Sequence, residues 1–187
     1  MESISCIILA GGESSRMGED KGLKLFKSKA LVSYSLELAK QMSNIIYICT
    51  NNVQYQQFGF PLIPDRIIKK GPLGGLYSGL SASKTDWNLI LPCDTPFLES
   101  SLLKEMLIQL NDNQIVVPKS ENGTIQPLIG FYHQSVIPIV HAHLISDRLK
   151  ILGLLNEVKT HYVIQNESKR NFFSNINTPE DLQNYEY

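Results

Sequence analysis

Short apolar runs alternate with stretches of helical periodicity along most of the chain. Ile4 to Ala10 is a largely apolar run that predicts a buried strand, opening into a polar loop at Gly11. Leu31, Ser35, Leu38 and Met42 fall on one helical stripe, widened by Val32, Leu36 and Ala39, so a helix is expected over Leu31 to Met42. Ile45 to Cys49 and Pro61 to Pro64 read as the next strands, with a short helix at Val53 to Phe58 between them. Pro72, suited to a first helical turn, opens a helix toward Ser83, and Trp87 to Leu91 is another strand before a helix near Ser101 to Leu110. The second half is less regular. Strands are expected at Ile115 to Val117, Ile125 to Tyr132 and His161 to Gln165, and helices at Ser135 to Ile145 and Arg148 to Leu155. Thr178-Pro179-Glu180-Asp181 has the order of a capping box and predicts a terminal helix. Strands with continuous apolar runs, separated by helices, call for a mostly parallel sheet covered on both faces. No repeat or linker interrupts residues 1–187, so one α/β domain is expected.

Composition narrows this only a little. The chain has 187 residues, enough to bury roughly 70% of its unfolded surface. Its 17 Lys+Arg against 18 Asp+Glu give a net charge of −1, which argues against a sequence-independent nucleic-acid binder. Cys6, Cys49 and Cys93 are far apart and form no CxxC pair, so they read as reduced, buried small hydrophobes. With no basic leader and no apolar stretch of membrane length, a cytoplasmic protein without a membrane partner is expected. His133, His141, His143 and His161 lie in no chemical motif and read as surface or half-buried structural residues.

The order of residues at the strand ends is more informative, because open α/β sheets bind ligands outside the carboxyl ends of their strands. Four loops fall there: Gly11 to Lys24, Thr50 to Val53, Asp65 to Pro72 and Pro92 to Phe97. In the first, Gly11 and Gly12 let backbone N–H groups approach an anion, while Arg16 and Lys21 add two positive charges suited to a polyphosphate. The spacing matches neither GxxxxGK[ST] nor GxGxxG. Asp94, at the end of a buried strand, is placed either to hold Mg²⁺ or to cap the following turn.

As a string, LAGGESSRMGEDKGL resembles the opening motif LAGGxSxRMGxDK of the molybdenum cofactor guanylyltransferases at every fixed position. Gly71-Pro72-Leu73-Gly74-Gly75-Leu76 is similar to that family's GPLxG loop, Pro92 to Phe97 to its CDTPY/F motif, and Asn175 to Leu182 to its terminal NxNTPEDL. The resemblance implies a Rossmann-like three-layer α/β/α fold with a mostly parallel mixed sheet, of the nucleotide-diphospho-sugar-transferase type. A nucleotide-binding half would span about residues 1–110 and an acceptor half about 111–187. It further implies nucleotide contacts from Leu9, Ala10, Gly11, Gly12, Asn51, Asp65 and the Gly71 to Gly74 loop. Catalytic roles would fall to Lys21 and Arg16 on the phosphates and to Asp94 on Mg²⁺. Asn175 and Asn177 would face the acceptor; Gln126 stands where the family often has histidine. The implied reaction transfers GMP from GTP to the phosphate of molybdenum-bearing molybdopterin, releasing pyrophosphate. Protein partners would be other cofactor-biosynthesis proteins or molybdoenzyme chaperones. The rival readings are a cytidylyltransferase for the same acceptor, an enzyme for another small phosphorylated metabolite, and a nucleotide-binding regulator without catalysis.

Overall fold

The computed structural model describes residues 3–11 and 20–165. Thirteen strands and helices follow the chain: β1 (Ile4–Leu9), β2 (Leu25–Phe26), β3 (Lys29–Ala30), α1 (Leu31–Met42), β4 (Ile46–Cys49), β5 (Leu62–Ile63), α2 (Gly71–Ala82), β6 (Trp87–Pro92), α3 (Ser100–Leu107), β7 (Ile115–Ser120), β8 (Gly130–His133), α4 (Ile137–Ile145) and α5 (Ile151–Leu155). A final described strand, β9 (Thr160–Gln165), completes the sheet.

Seven strands form one sheet in the order β5-β4-β1-β6-β8-β7-β9. All run parallel except β8, which is antiparallel to both β6 and β7. From β1 the chain steps outward to β4 and β5, then returns across β1 to β6. That reversal opens a crevice at the carboxyl ends of β1 and β6, where doubly wound sheets take their ligands.

Strand periodicity divides the core into two layers. Cys6 and Ile8 of β1 pack with α1 and α3 through Val32, Leu36, Leu102 and Met106. Ile7 and Leu9, the alternate residues, pack with α2, α4 and α5 through Leu76, Leu80, Val140 and Leu154. Helices thus cover both faces, giving the three-layer arrangement. Helix α2 lies especially close to the sheet, because a Cβ at Gly79 would stand 2.6 Å from Ile7 Cγ2 and 2.9 Å from Cys49 Sγ. No helix among the described residues is long and apolar enough to cross a membrane.

Several expected elements take a different form. Just after the first loop comes an unforeseen hairpin, β2–β3, whose turn places Lys27 at φ 47° and Ser28 at φ 63°. The strand expected from Ile125 contracts to Gly130–His133; Ile125 keeps only an isolated bridge to Lys119. Pro127, which has no N–H to donate to a ladder, sits in the turn between. The helix expected from Arg148 starts at Ile151, since Asp147 (φ 56°) and the Arg148 N–H bond to His143 O belong to the end of α4. His143 is fully buried, not superficial, and its Nε2 lies 3.1 Å from Glu157 Oε1. Cys6 and Cys49 are buried and free, and burial pushes both thiols up to about 12. Cys93 is only partly buried. The expected terminal helix at Thr178 lies outside the described residues.

Candidate active site

Because β1, β4, β5 and β6 run the same way, their loops open at one edge of the sheet. The ladder continues just past the strands, with Ala10 N–H donating to Cys49 O at 3.0 Å and Cys93 N–H to Leu9 O at 3.2 Å. This brings the first residues of three loops side by side. At the ends of β1, β4 and β5 lies a cleft of about 680 Å³, lined by Leu9, Ala10, Gly11, Asn51, Asp65, Gly71 and Pro72, all read from the sequence as nucleotide contacts; Lys21 and Asp94 do not line it.

Asn51 and Asp65 form a reciprocal pair across the β4 and β5 loops. Asn51 Nδ2 donates to Asp65 Oδ2 at 3.1 Å, and Asp65 N–H donates to Asn51 Oδ1 at 3.0 Å. The pairing fixes the carboxylate's orientation. Asp65 Oδ1 lies toward Gly75, where a Cβ would be 3.9 Å away, so this oxygen borders the cleft where glycine leaves room.

At the other side of the crevice, Lys21 Nζ makes an ion pair with Asp94 Oδ2. The two side chains are only 18% and 14% exposed, so water screens this pair weakly. Asp94 Oδ1 is buried and has no hydrogen-bond partner, as does Thr95 Oγ1 next to it.

Residues 6–158 match the MobA-like NTP transferase domain. The chain is 36% identical to the molybdenum cofactor guanylyltransferase of Vibrio vulnificus, covering 97% of this chain and 94% of that protein. It is 35% identical to the "Probable molybdenum cofactor guanylyltransferase" of Flavobacterium johnsoniae, with 97% and 96% covered. The chain belongs to the molybdenum cofactor guanylyltransferase family. A molybdopterin-guanine dinucleotide biosynthesis protein A from Archaeoglobus fulgidus has the same fold, at TM-score 0.79 and 20% identity over 96% of this chain and 95% of that one.

Within this family site, other expected residues stand differently. Leu73 is fully buried among the α2 core residues, and a Cβ at Gly74 would sit 3.1 Å from Ile67 O and Lys70 Cβ. Neither lines the cleft. Gln126 is held in the turn before β8, its N–H donating to Pro118 O and its carbonyl accepting from Ile129 N–H. Reversed β8 begins beside Ile90, near the end of β6, so this turn reaches the same sheet edge as Asp94. Gly12, Arg16, Asn175 and Asn177 lie outside the described residues.

The cleft also holds Gly75, the last glycine of the GPLxG loop, and Asn52 beside Asn51, together with Asp20, Thr50, Ile68 and Lys69, which were not singled out from the sequence. Asp20 precedes Lys21 in the first motif, so adjacency was the available signal there. Lys69 has φ 60°, a conformation whose strain no sequence pattern announces.

Among the described residues no cluster of three or more His, Cys, Asp or Glu side chains could hold a metal. A lone carboxylate nevertheless suits Mg²⁺, which takes one or two carboxylates and completes its shell with substrate phosphates and water. The unpartnered, buried Asp94 Oδ1 could supply one such oxygen.

Proposed function

We propose that this chain transfers GMP from GTP to the phosphate of molybdenum-bearing molybdopterin, releasing pyrophosphate and leaving the guanine dinucleotide form of the cofactor. The observation that carries the reading is the Lys21–Asp94 pair, with its unpartnered Asp94 oxygen, on the same sheet edge as a nucleotide-sized cleft whose lining reaches Asp20, the neighbour of Lys21. The backbone from Leu9 to Gly11 and the start of α2 at Gly71-Pro72 enclose the nucleoside. Asp65, held by Asn51, offers its free oxygen to a donor on the base or ribose.

Lys21 offers a positive charge for the leaving pyrophosphate, where negative charge builds in the transition state. Asp94 is the side chain that would hold Mg²⁺. When bound, the ion would neutralise triphosphate charge and polarise the α-phosphate. An acceptor phosphate is ionised near neutral pH and needs no general base, which agrees with a motif set that supplies none. Positioning and charge neutralisation then carry catalysis. Residues 111–187 would supply the acceptor side, with Gln126, Asn175 and Asn177 facing the pterin. The reaction would take place in the cytoplasm, with other cofactor-biosynthesis proteins or molybdoenzyme chaperones delivering or receiving the pterin.

The test incubates the purified protein with Mg²⁺, molybdenum-loaded molybdopterin and GTP, CTP or ATP, and follows pyrophosphate release. Turnover with GTP that requires the pterin is expected. Turnover with CTP alone would move the chain to the cytidylyl reading, and nucleotide binding without turnover would make it a regulator.

A further inference from the structure

Lys21 sits on a single 3₁₀ turn, Lys21–Leu23, too short to hold a fixed position by its own hydrogen bonds. Its side chain is a flexible four-carbon stem. What places it against Asp94 is a set of contacts from the loop after β4. Asp20 caps the turn, its Oδ1 accepting from Gly22 N–H at 3.1 Å. The same Oδ1 accepts the Tyr55 hydroxyl at 2.5 Å, and Oδ2 accepts Asn52 Nδ2 at 2.9 Å.

Both partners are themselves fixed. Tyr55 is fully buried, its ring centroid 5.9 Å from that of Phe58, and burial pushes its hydroxyl's pKa up, so it remains a donor. Asn52 Oδ1 accepts from Gln54 N–H at 3.0 Å, which leaves the amide one way round. Gly22 closes the arrangement. A Cβ there would lie 2.2 Å from the Tyr55 hydroxyl and 3.2 Å from Cys93 Cβ and Sγ. The Lys21 turn is therefore pressed between the β4 loop and the residue preceding Asp94.

We propose that Tyr55 and Asn52, acting through the Asp20 carboxylate, are positioning residues that hold Lys21 at the site of the leaving phosphates. The assignment rests on the reading of Lys21 as a phosphate contact. It adds the device that keeps a flexible lysine in register with the nucleotide before the substrate arrives.

The test uses Tyr55→Phe in the full chain, with binding of GTP and of GMP measured by calorimetry. GMP lacks the phosphates that Lys21 would meet. The variant should weaken GTP binding by about tenfold, the worth of a hydrogen bond to a charged group, and leave GMP binding unchanged. In a Lys21→Ala background the GTP loss should vanish, because coupled residues are not additive. Equal weakening of both nucleotides, or an undiminished loss without Lys21, would overturn the proposal. If Tyr55→Phe does not fold, Gly22 N–H exchange in Asn52→Ala without nucleotide should be about tenfold faster than in wild type, and equal exchange would refute the proposal.

A wild-type protein that binds GTP no more tightly than GMP would sink the phosphate reading of Lys21 instead. Amide exchange then decides the positioning claim without nucleotide. The Gly22 N–H should exchange about tenfold faster in Tyr55→Phe than in wild type, with β6 amides unchanged. Equal Gly22 exchange in the two proteins would refute it.

Discussion

The neighbouring strands β1 and β6 carry a polar cluster at each end, and the two clusters are finished differently. At their starts, Ser5 Oγ meets Ser83 Oγ at 2.7 Å and donates to Asn88 Oδ1 at 2.6 Å, while Thr85 Oγ1 donates to Trp87 O at 2.9 Å. Asn88 Nδ2 reaches Thr85 O and Tyr132 O at 3.3 and 3.4 Å. These residues are buried, and their polar groups are answered within the protein. At the strand ends, Asp94 Oδ1 and Thr95 Oγ1 are also buried, yet unanswered. Leaving a buried polar group unpaired costs about 1–3 kcal/mol, so folding alone gives no reason to keep one. The closed cluster shapes the fold; on the proposed reading, the open one is left for the metal and the phosphates.

Mutation separates the two clusters most sharply at the open end. Asp94→Ala should reduce pyrophosphate release by on the order of 1,000-fold, with an unchanged circular dichroism spectrum. Residual turnover near the wild-type rate would contradict the metal role. Lys21→Ala should cost on the order of 100-fold in kcat, again without unfolding the protein. The closed end should behave in the opposite way. Asn88→Ala should lower unfolding free energy by about 2 kcal/mol in urea titrations while kcat of the folded fraction stays put.

Two smaller changes lie outside both clusters and serve as controls. Ser28→Gly, at φ 63°, should raise stability by about 1 kcal/mol and leave activity alone. The smallest effect concerns Glu157, whose carboxyl is held below its ordinary value of 4.5 by hydrogen bonds from His143 and then Arg148. A depressed carboxyl contributes its stability above the ordinary value and loses it as pH falls through the lowered one. Glu157→Gln should therefore flatten the acid limb of the thermal-stability curve below pH 4.5, with no change near neutrality. An acid limb as steep as wild type would show that the contact adds nothing.

Legibility from the sequence follows a similar division. β1, β4, β6 and α1 were readable because an apolar run or a helical stripe is enforced by burial on both sides of the sheet. The β2–β3 hairpin was not, since its turn uses Lys27 and Ser28 at positive φ, where glycine or asparagine is the usual signal. His143 read as a surface or half-buried residue because nothing near it in sequence announces Glu157, fourteen positions away. In the site, backbone-lined positions such as Gly11 and Gly71 were legible as motif. Asp20 was passed over because its partners, Asn52 and Tyr55, come from another loop, and only the fold brings them together.

The strand order also bears on how the protein is made. Residues 4–92 alone contain β5, β4, β1 and β6, adjacent in the sheet and all parallel, with α1 and α2 packed on opposite faces. This block can pair before β7, β8 and β9 leave the ribosome. β8 then docks on β6, the edge the block leaves open, and provides the edge on which β7 is held. Pulse-labelled exchange during refolding should find β1 and β6 amides protected before those of β9. Simultaneous protection would mean that the first four strands need the last three to stand.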